Sequence, residues 1–185
     1  MNKYILLLLF FFPLTLWSQH HFDYNKYQSL NVGIGLYNEL MPEGYRYNAT
    51  TILPTLSLWD RGHFSIYAEG QFTFAPLTED VPTAYEFGAN LGVRFQTELA
   101  PKFVMVAGIG SGPHFITVET SMQADGFIFS DNFELGFSYY LNEEYKTALC
   151  LKGRFRHISN AGLMLPNWGI DNFFLVLGAR TNWSK

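Results

Sequence analysis

The sequence is poor in cysteine and in charged residues, and both shortages limit what the protein can be. Its 185 residues contain a single cysteine, Cys150, which excludes an internal disulfide and a Cys₂His₂ metal site. Only 15% of the residues are charged, whereas an average soluble domain has about a quarter. The net charge of −4 offers no basic surface for nucleic acid, so we expect no nucleic-acid partner.

Long apolar runs are also missing, except at the N-terminus. There Lys3 precedes an apolar run from Ile5 to Leu16, which is too short to span a bilayer and has the form of a secretory signal. We therefore predict a signal peptide over residues 1–19 and one exported domain over residues 20–185; a short membrane anchor is the alternative. If the mature chain lies in a membrane, it must cross as strands of a closed barrel.

The sequence has instead a repeated alternation of apolar and polar residues with a period of two, which indicates β-strands. Eight such segments begin near residues 30, 47, 64, 85, 103, 132, 149 and 173. We expect the second to carry a bulge or a weakened ladder at Pro54. We expect the fifth to end near "GSGPH", which places His114 in an exposed loop.

The lengths of the segments and of their connections favour a small membrane barrel. Segments of about ten residues match a tilted strand that crosses a bilayer. The links "DRG", "ELAPK" and "NEEY" are short, and those after the odd-numbered segments are longer. We predict an eight-stranded antiparallel transmembrane β-barrel in the outer membrane of a Gram-negative bacterium, with the long loops outside.

The alternation does not say which face points inward. A soluble lipocalin-type barrel would turn its apolar face inward. Low total charge and a strongly aromatic apolar face favour the membrane form, in which charges of both signs pair inside the lumen. Parity then places Glu134 opposite Lys152 or Arg154, and it directs Cys150 inward.

One polar group interrupts the apolar face near the end of the seventh segment. His157 and Ser159 lie two apart on the face of Leu151 and Phe155, and Asp171 shares the face of Phe173. A serine hydroxyl attacks an ester only when a base takes its proton, and that base needs an acid to orient it. The group can thus form a catalytic triad on the outer wall; alternatively, the strands have ended and these side chains lie in water.

The segment "HISNAGLMLPNWG" resembles the signature of the PagL family of outer-membrane lipid A 3-O-deacylases. In that signature H-x-S-N-A-G is followed by P-N-x-G and an acid, and the matching residues are His157, Ser159, Asn160, Ala161, Gly162, Pro166, Asn167 and Gly169. The acid position holds Asp171, where the better-known members have Glu.

The resemblance implies a serine esterase that hydrolyses the ester-linked 3-hydroxyacyl chain at the 3 position of lipid A. Its partners would be the lipid A of outer-leaflet lipopolysaccharide and the membrane, and no cofactor or metal is expected. It makes Ser159 the nucleophile, His157 the base and Asp171 the acid. The Gly162 N–H and Asn167 would stabilise the oxyanion, and Asn160 would support the site. An outer-membrane phospholipase and a non-catalytic structural barrel are the alternatives.

Overall fold

The computed structural model describes residues 27–36, 49–76 and 82–182, and these residues form eight antiparallel β-strands closed into a barrel. The strands are β1 (Tyr27–Leu36), β2 (Thr50–Arg61), β3 (Phe64–Ala75), β4 (Ala84–Ala100), β5 (Phe103–Ile116), β6 (Gly126–Tyr140), β7 (Thr147–Ser159) and β8 (Ile170–Asn182). Each strand pairs with its neighbours in the sequence, and β1 pairs with β8 to close the barrel. The predicted fold class is confirmed.

Some predictions concern residues for which no structure is described. The predicted signal peptide over residues 1–19, the start of the exported domain and the expected beginning of the second strand at Tyr47 all lie outside the described residues. The domain boundaries therefore stay predictions. In the part of the chain that is described, no helix is long and apolar enough to cross a membrane.

The prediction that the fifth strand ends near "GSGPH" is wrong, because β5 continues to Ile116. Its ladder with β6 runs without a break through Pro113, which lies opposite Phe129. The ladder with β4 skips Gly112 and Pro113, and the strands come so close there that a Cβ on Gly112 would overlap the carbonyl oxygen of Ala89. Glycine therefore keeps the strand in the sheet rather than ending it.

The second strand shows the expected weakness. Its ladder with β3 lacks paired residues at Leu53 and Pro54, and its register shifts between Ser57 and Trp59. Proline has no N–H to donate, so a gap at Pro54 follows from its chemistry.

The apolar face of the strands points outward, as predicted for a membrane barrel. Leu91 and Ile109 are 60% and 61% exposed, whereas the alternate positions are buried in the lumen. Glu134 lies opposite Arg154, one of the two partners that parity allowed, and it forms ion pairs with Lys152 at 2.8 Å and Arg94 at 2.6 Å. The soluble arrangement with an apolar interior is therefore excluded.

The lumen is filled in layers. Ion pairs occupy its middle, among them Arg154–Glu69 at 2.6 Å and Arg156–Glu86 at 2.8 Å. An apolar cluster closes the end that carries the long loops; its buried members are Ala49, Leu53, Ala75, Ala84, Ile116, Ile128, Ile158, Ile170, Phe174 and Val176. This cluster anchors the ends of β7 and β8 from inside the barrel.

Candidate active site

The predicted catalytic residues lie where β7 ends and β8 begins, at the long-loop end of the outer wall. Ile158 and Ile170 are fully buried in the lumen and face each other across the β7–β8 pair. Because side chains alternate along a strand, this anchoring turns His157, Ser159 and Asp171 outward. All three are partly exposed.

His157 and Asp171 form a hydrogen bond. The two residues are directly opposite in register, and Nδ1 of His157 lies 2.7 Å from Oδ1 of Asp171. An ionised carboxylate only accepts, so this bond places the imidazole proton on Nδ1 and leaves Nε2 as the basic nitrogen. Aspartate is one methylene shorter than glutamate, yet Asp171 reaches the imidazole because the register places it directly across from His157.

Ser159 shares the face of His157, two residues further along β7. Two such positions are about 7 Å apart at Cα. Among the described residues, no hydrogen bond joins the Ser159 hydroxyl to His157. The structure thus joins His157 to Asp171 and places Ser159 on the same face beside them.

Gly169 positions the imidazole, a role that the sequence did not reveal. Its φ of +79° is a conformation that favours glycine. A Cβ at this position would lie 2.5 Å from Cε1 and 3.0 Å from Nε2 of His157. The imidazole ring of His157 therefore rests against the Gly169 backbone. The sequence feature that could have indicated this role is the last glycine of the P-N-x-G motif.

The predicted oxyanion and support residues form a hydrogen-bonded turn after β7. Asn160 is buried; its N–H donates to Oδ1 of Asn167 at 2.8 Å, and its side-chain amide donates to the Met164 carbonyl at 2.9 Å. The Gly162 N–H donates to Oδ1 of Asn160 at 3.1 Å. The side-chain oxygen of Asn167 therefore accepts a hydrogen bond from the turn, and its NH₂ group can donate to another acceptor. The Gly162 N–H already donates to Asn160.

The β5–β6 loop braces this turn. The Met122 carbonyl accepts hydrogen bonds from the N–H groups of Trp168 at 2.7 Å and Gly169 at 3.2 Å, and the Ala124 N–H donates to the Pro166 carbonyl at 2.8 Å. These contacts hold the backbone that supports the imidazole. The outer side of the turn exposes large apolar side chains, namely Leu163, Met164, Leu165 and Trp168.

A second carboxylate near the site, Asp131, was also missed. It is exposed on the outer face of β6, directly opposite His157. The sequence could have indicated its position, because Asp131 alternates in phase with Phe133 and Leu135 and therefore lies on the apolar outer face of β6. The Ser111 hydroxyl donates a hydrogen bond to it at 2.6 Å.

His114 is neither in a loop nor exposed, so that prediction is wrong. It lies in β5 with its side chain in the lumen and is 3% exposed. Its Nε2 is 3.0 Å from Oδ1 of Asn90, and its Nδ1 is 3.4 Å from Oε1 of Glu86. It is part of the buried polar interior, on the other side of the barrel wall from His157. Cys150 is also buried, as predicted.

A metal site was not predicted from the sequence. Within the described residues, no three His, Cys, Asp or Glu side chains are grouped in a way that could hold a metal ion. The site residues described above bring together a serine hydroxyl, an imidazole, a carboxylate and hydrogen-bond donors, a set of groups that is suited to acyl transfer.

Comparison with known proteins gives a family and a set of similar folds. The family model "Lipid A 3-O-deacylase (PagL)" matches residues 43–180. The crystal structure of the outer membrane enzyme PagL is 16% identical with a TM-score of 0.62, covering 84% of this chain and 99% of that chain.

Two further outer-membrane barrels are similar in fold. Neisserial surface protein A is 10% identical with a TM-score of 0.64, covering 85% of this chain and 96% of that chain. OprG from Pseudomonas aeruginosa is 10% identical with a TM-score of 0.54, covering 88% of this chain and 98% of that chain. Identities this low show the fold alone. The comparison with curated proteins found no match.

Proposed function

The chain belongs to the lipid A 3-O-deacylase (PagL) family, and from this premise we propose that Ser159, His157 and Asp171 hydrolyse the 3-O-linked acyl ester of lipid A on the lipid-facing wall of the barrel. Membership makes the protein an ester hydrolase of the Gram-negative outer membrane. The observation that carries the assignment of residues is the His157–Asp171 hydrogen bond on the outer wall, beside Ser159.

The location of the site supports a substrate that stays in the membrane. The outer wall is apolar and aromatic, and Leu165 and Trp168 in the turn beside the site are 87% and 78% exposed. Side chains of this kind are stable in contact with acyl chains or at the membrane interface. A lipid in the outer leaflet can thus present its ester to Ser159 without leaving the membrane.

The reaction begins with attack of the Ser159 hydroxyl on the ester carbonyl. Nε2 of His157 takes the hydroxyl proton, and the Asp171 carboxylate stabilises the imidazolium that forms. The imidazolium then gives its proton to the sugar oxygen as the ester bond breaks, which leaves the acyl chain on Ser159. Water, deprotonated by His157, attacks this second ester and releases the 3-hydroxy fatty acid.

The negative charge on the attacked carbonyl oxygen requires nearby donors. The Asn167 side-chain NH₂ is the first, because its oxygen is held by the Asn160 N–H. The Gly162 N–H is the second, and it must share or release its bond to Asn160 when the oxyanion forms. Asn160 would then hold both donors in place.

The function is tested by offering the purified protein two classes of lipid. Lipid A and a glycerophospholipid are incubated separately with the protein, with and without chelator, and the product masses are measured. We expect loss of one 3-hydroxyacyl chain from lipid A, unaffected by chelator, and no phospholipid hydrolysis. Hydrolysis of phospholipid alone would indicate a phospholipase, and absence of both products a non-catalytic barrel; either result contradicts the proposal.

A further inference from the structure

The β5–β6 loop contains a tight turn that is closed by the hydroxyl of Thr120. Oγ1 of Thr120 accepts hydrogen bonds from the N–H groups of Met122 at 3.2 Å and Gln123 at 2.9 Å, and it donates to the Gln123 carbonyl at 3.3 Å. A hydroxyl has one donor site and two acceptor sites, so these bonds use all of them. Thr120 is buried, and its own N–H also donates to the Gln123 carbonyl, at 2.8 Å. One side chain therefore fixes the backbone of this turn.

This turn pairs with the segment that carries Asn167. Gln123 and Asn167 lie directly opposite each other in an antiparallel β-bridge outside the eight strands. The backbone hydrogen bonds between the two segments flank this pair, one donated by the Trp168 N–H at 2.7 Å and one accepted by the Pro166 carbonyl at 2.8 Å. Opposite residues in a pair flanked in this way are about 4.5 Å apart at Cα. The β5–β6 loop thus holds the residues on both sides of Asn167.

The side chain of Asn167 is held next to the proposed nucleophile. Its Oδ1 accepts a hydrogen bond from the Asn160 N–H at 2.8 Å, and Asn160 directly follows Ser159 in the chain. The NH₂ group of the same amide can then donate to the oxygen of an ester that Ser159 attacks. Such a donor must lie about 3 Å from the oxygen on which charge develops, and a displacement of about 1 Å can cost about 100-fold in rate. The position of the Asn167 backbone therefore affects the rate directly.

The remainder of the β7–β8 turn offers that backbone less support than the β5–β6 loop does. Residues 161–165 are all exposed. The β5–β6 loop, in contrast, is anchored on the barrel, because Val118 and Met122 pack against the apolar cluster that closes the lumen. Asn167 is thus connected to the packed end of the barrel through the turn that Thr120 closes.

We propose that Thr120 is a positioning residue for the reaction. Its hydroxyl fixes the β5–β6 turn, and this turn holds Asn167 so that the Asn167 NH₂ group donates to the oxyanion. The inference rests on the proposed function and adds to the site a residue from a different loop, which itself contacts neither the substrate nor the reacting atoms.

The test replaces Thr120 and measures kcat and KM for release of the 3-hydroxy fatty acid from lipid A. Thr120→Val keeps the shape of the side chain but removes the hydroxyl, and it should lower kcat between about 10-fold and 100-fold, no more than removal of an oxyanion donor does. KM should not change, because the donor acts only in the transition state. Thr120→Ser keeps the hydroxyl and should retain most of the parent kcat. Ser121→Ala is the matched control, since it removes an exposed hydroxyl from the same turn and should change neither constant.

A second comparison separates positioning from a general effect on the fold. Thr120→Val is combined with Asn167→Ala, in which the donor is already lost. Residues that act through a shared partner are not additive, so Thr120→Val should lower kcat by a clearly smaller factor in this background than in the parent.

Heat-modifiable gel mobility reports whether each variant is folded. If Thr120→Val does not fold, Ala124→Pro takes its place in both comparisons, because proline removes the N–H that donates to the Pro166 carbonyl. It should lower kcat with KM unchanged, and by a smaller factor in the Asn167→Ala background.

Four results would overturn the proposal. A parent-like kcat in Thr120→Val, together with a large loss in Asn167→Ala, would show that Asn167 needs no such support, and the proposed function would stand. A loss of equal size in both backgrounds would mean that Thr120 acts elsewhere in the fold. An unchanged kcat in Asn167→Ala would remove Asn167 from the oxyanion site. Absence of lipid A hydrolysis by the parent would refute the proposed function and this inference with it.

Discussion

Replacing Asp171 by asparagine tests the triad most directly. The side chain keeps its size and can still accept a hydrogen bond, but the negative charge beside the imidazole is lost. In the structure Oδ1 of Asp171 is 2.7 Å from Nδ1 of His157. The variant therefore removes the stabilisation of the imidazolium and leaves the backbone untouched.

The size of the effect follows from the distance and the exposure. Two unit charges about 4 Å apart attract by ~4 kcal/mol at an effective dielectric constant of about 20. The side chains of His157 and Asp171 are 37% and 48% exposed, so solvent screening lowers this value. We take about half of this attraction as the lower bound and the whole of it as the upper bound. At about 1.36 kcal/mol for each factor of ten, kcat should then fall by between about 30-fold and 1000-fold.

The assay measures release of the 3-hydroxy fatty acid from lipid A by mass spectrometry, with heat-modifiable gel mobility as the folding control. Asp171→Glu is the matched variant, because it restores the charge on a side chain one methylene longer, and it should retain measurable turnover. If Asp171→Asn hydrolyses lipid A at the parent rate, Asp171 is only a carboxylate at the strand end, and the site works as a dyad or with another acid.

Three further predictions concern the nucleophile, the imidazole support and the lumen. Ser159→Ala and His157→Ala should each abolish lipid A hydrolysis in a folded barrel, and the double variant should be no worse because the pair acts as a unit; turnover by the serine variant would identify another nucleophile. Gly169→Ala should lower kcat at least tenfold, since its Cβ would lie 2.5 Å from Cε1 of His157, and an unchanged kcat would refute the positioning role. Glu134→Gln leaves its buried cationic partners without their shared acid; it should destabilise the barrel by about 3–5 kcal/mol, seen as a lower temperature of heat modification, whereas an unchanged temperature would show that the remaining lumen groups compensate.

The strand pattern was readable from the sequence because it depends on local alternation. In the fourth strand, Tyr85 and Phe87 alternate with Glu86 and Gly88, and a period of two sends such residues to opposite faces whatever the partners are. The same rule placed His157 and Ser159 together on the outer wall. The site motif was also local, since its matching residues lie within one segment of the chain.

Other features depended on which strands meet, and alternation carries no information about that. "GSGPH" contains residues that usually interrupt strands, yet β5 continues through it because its ladder with β6 is unbroken there, and the small glycines leave room for β4 to approach closely. His114 accordingly points into the lumen, where its ring nitrogens contact the side chains of Asn90 and Glu86.

The reach of Asp171 and the presence of Asp131 were likewise decided by register. Parity directed Asp171 outward, but only the pairing of β7 with β8 shows that it lies directly opposite His157, close enough for the shorter side chain to bond. Asp131 had the parity of the apolar wall, and its place beside His157 appears only when β6 and β7 are paired. Alternation assigns each side chain to a face of its own strand, whereas the distance between side chains on different strands is determined by the register with which the closed barrel pairs them.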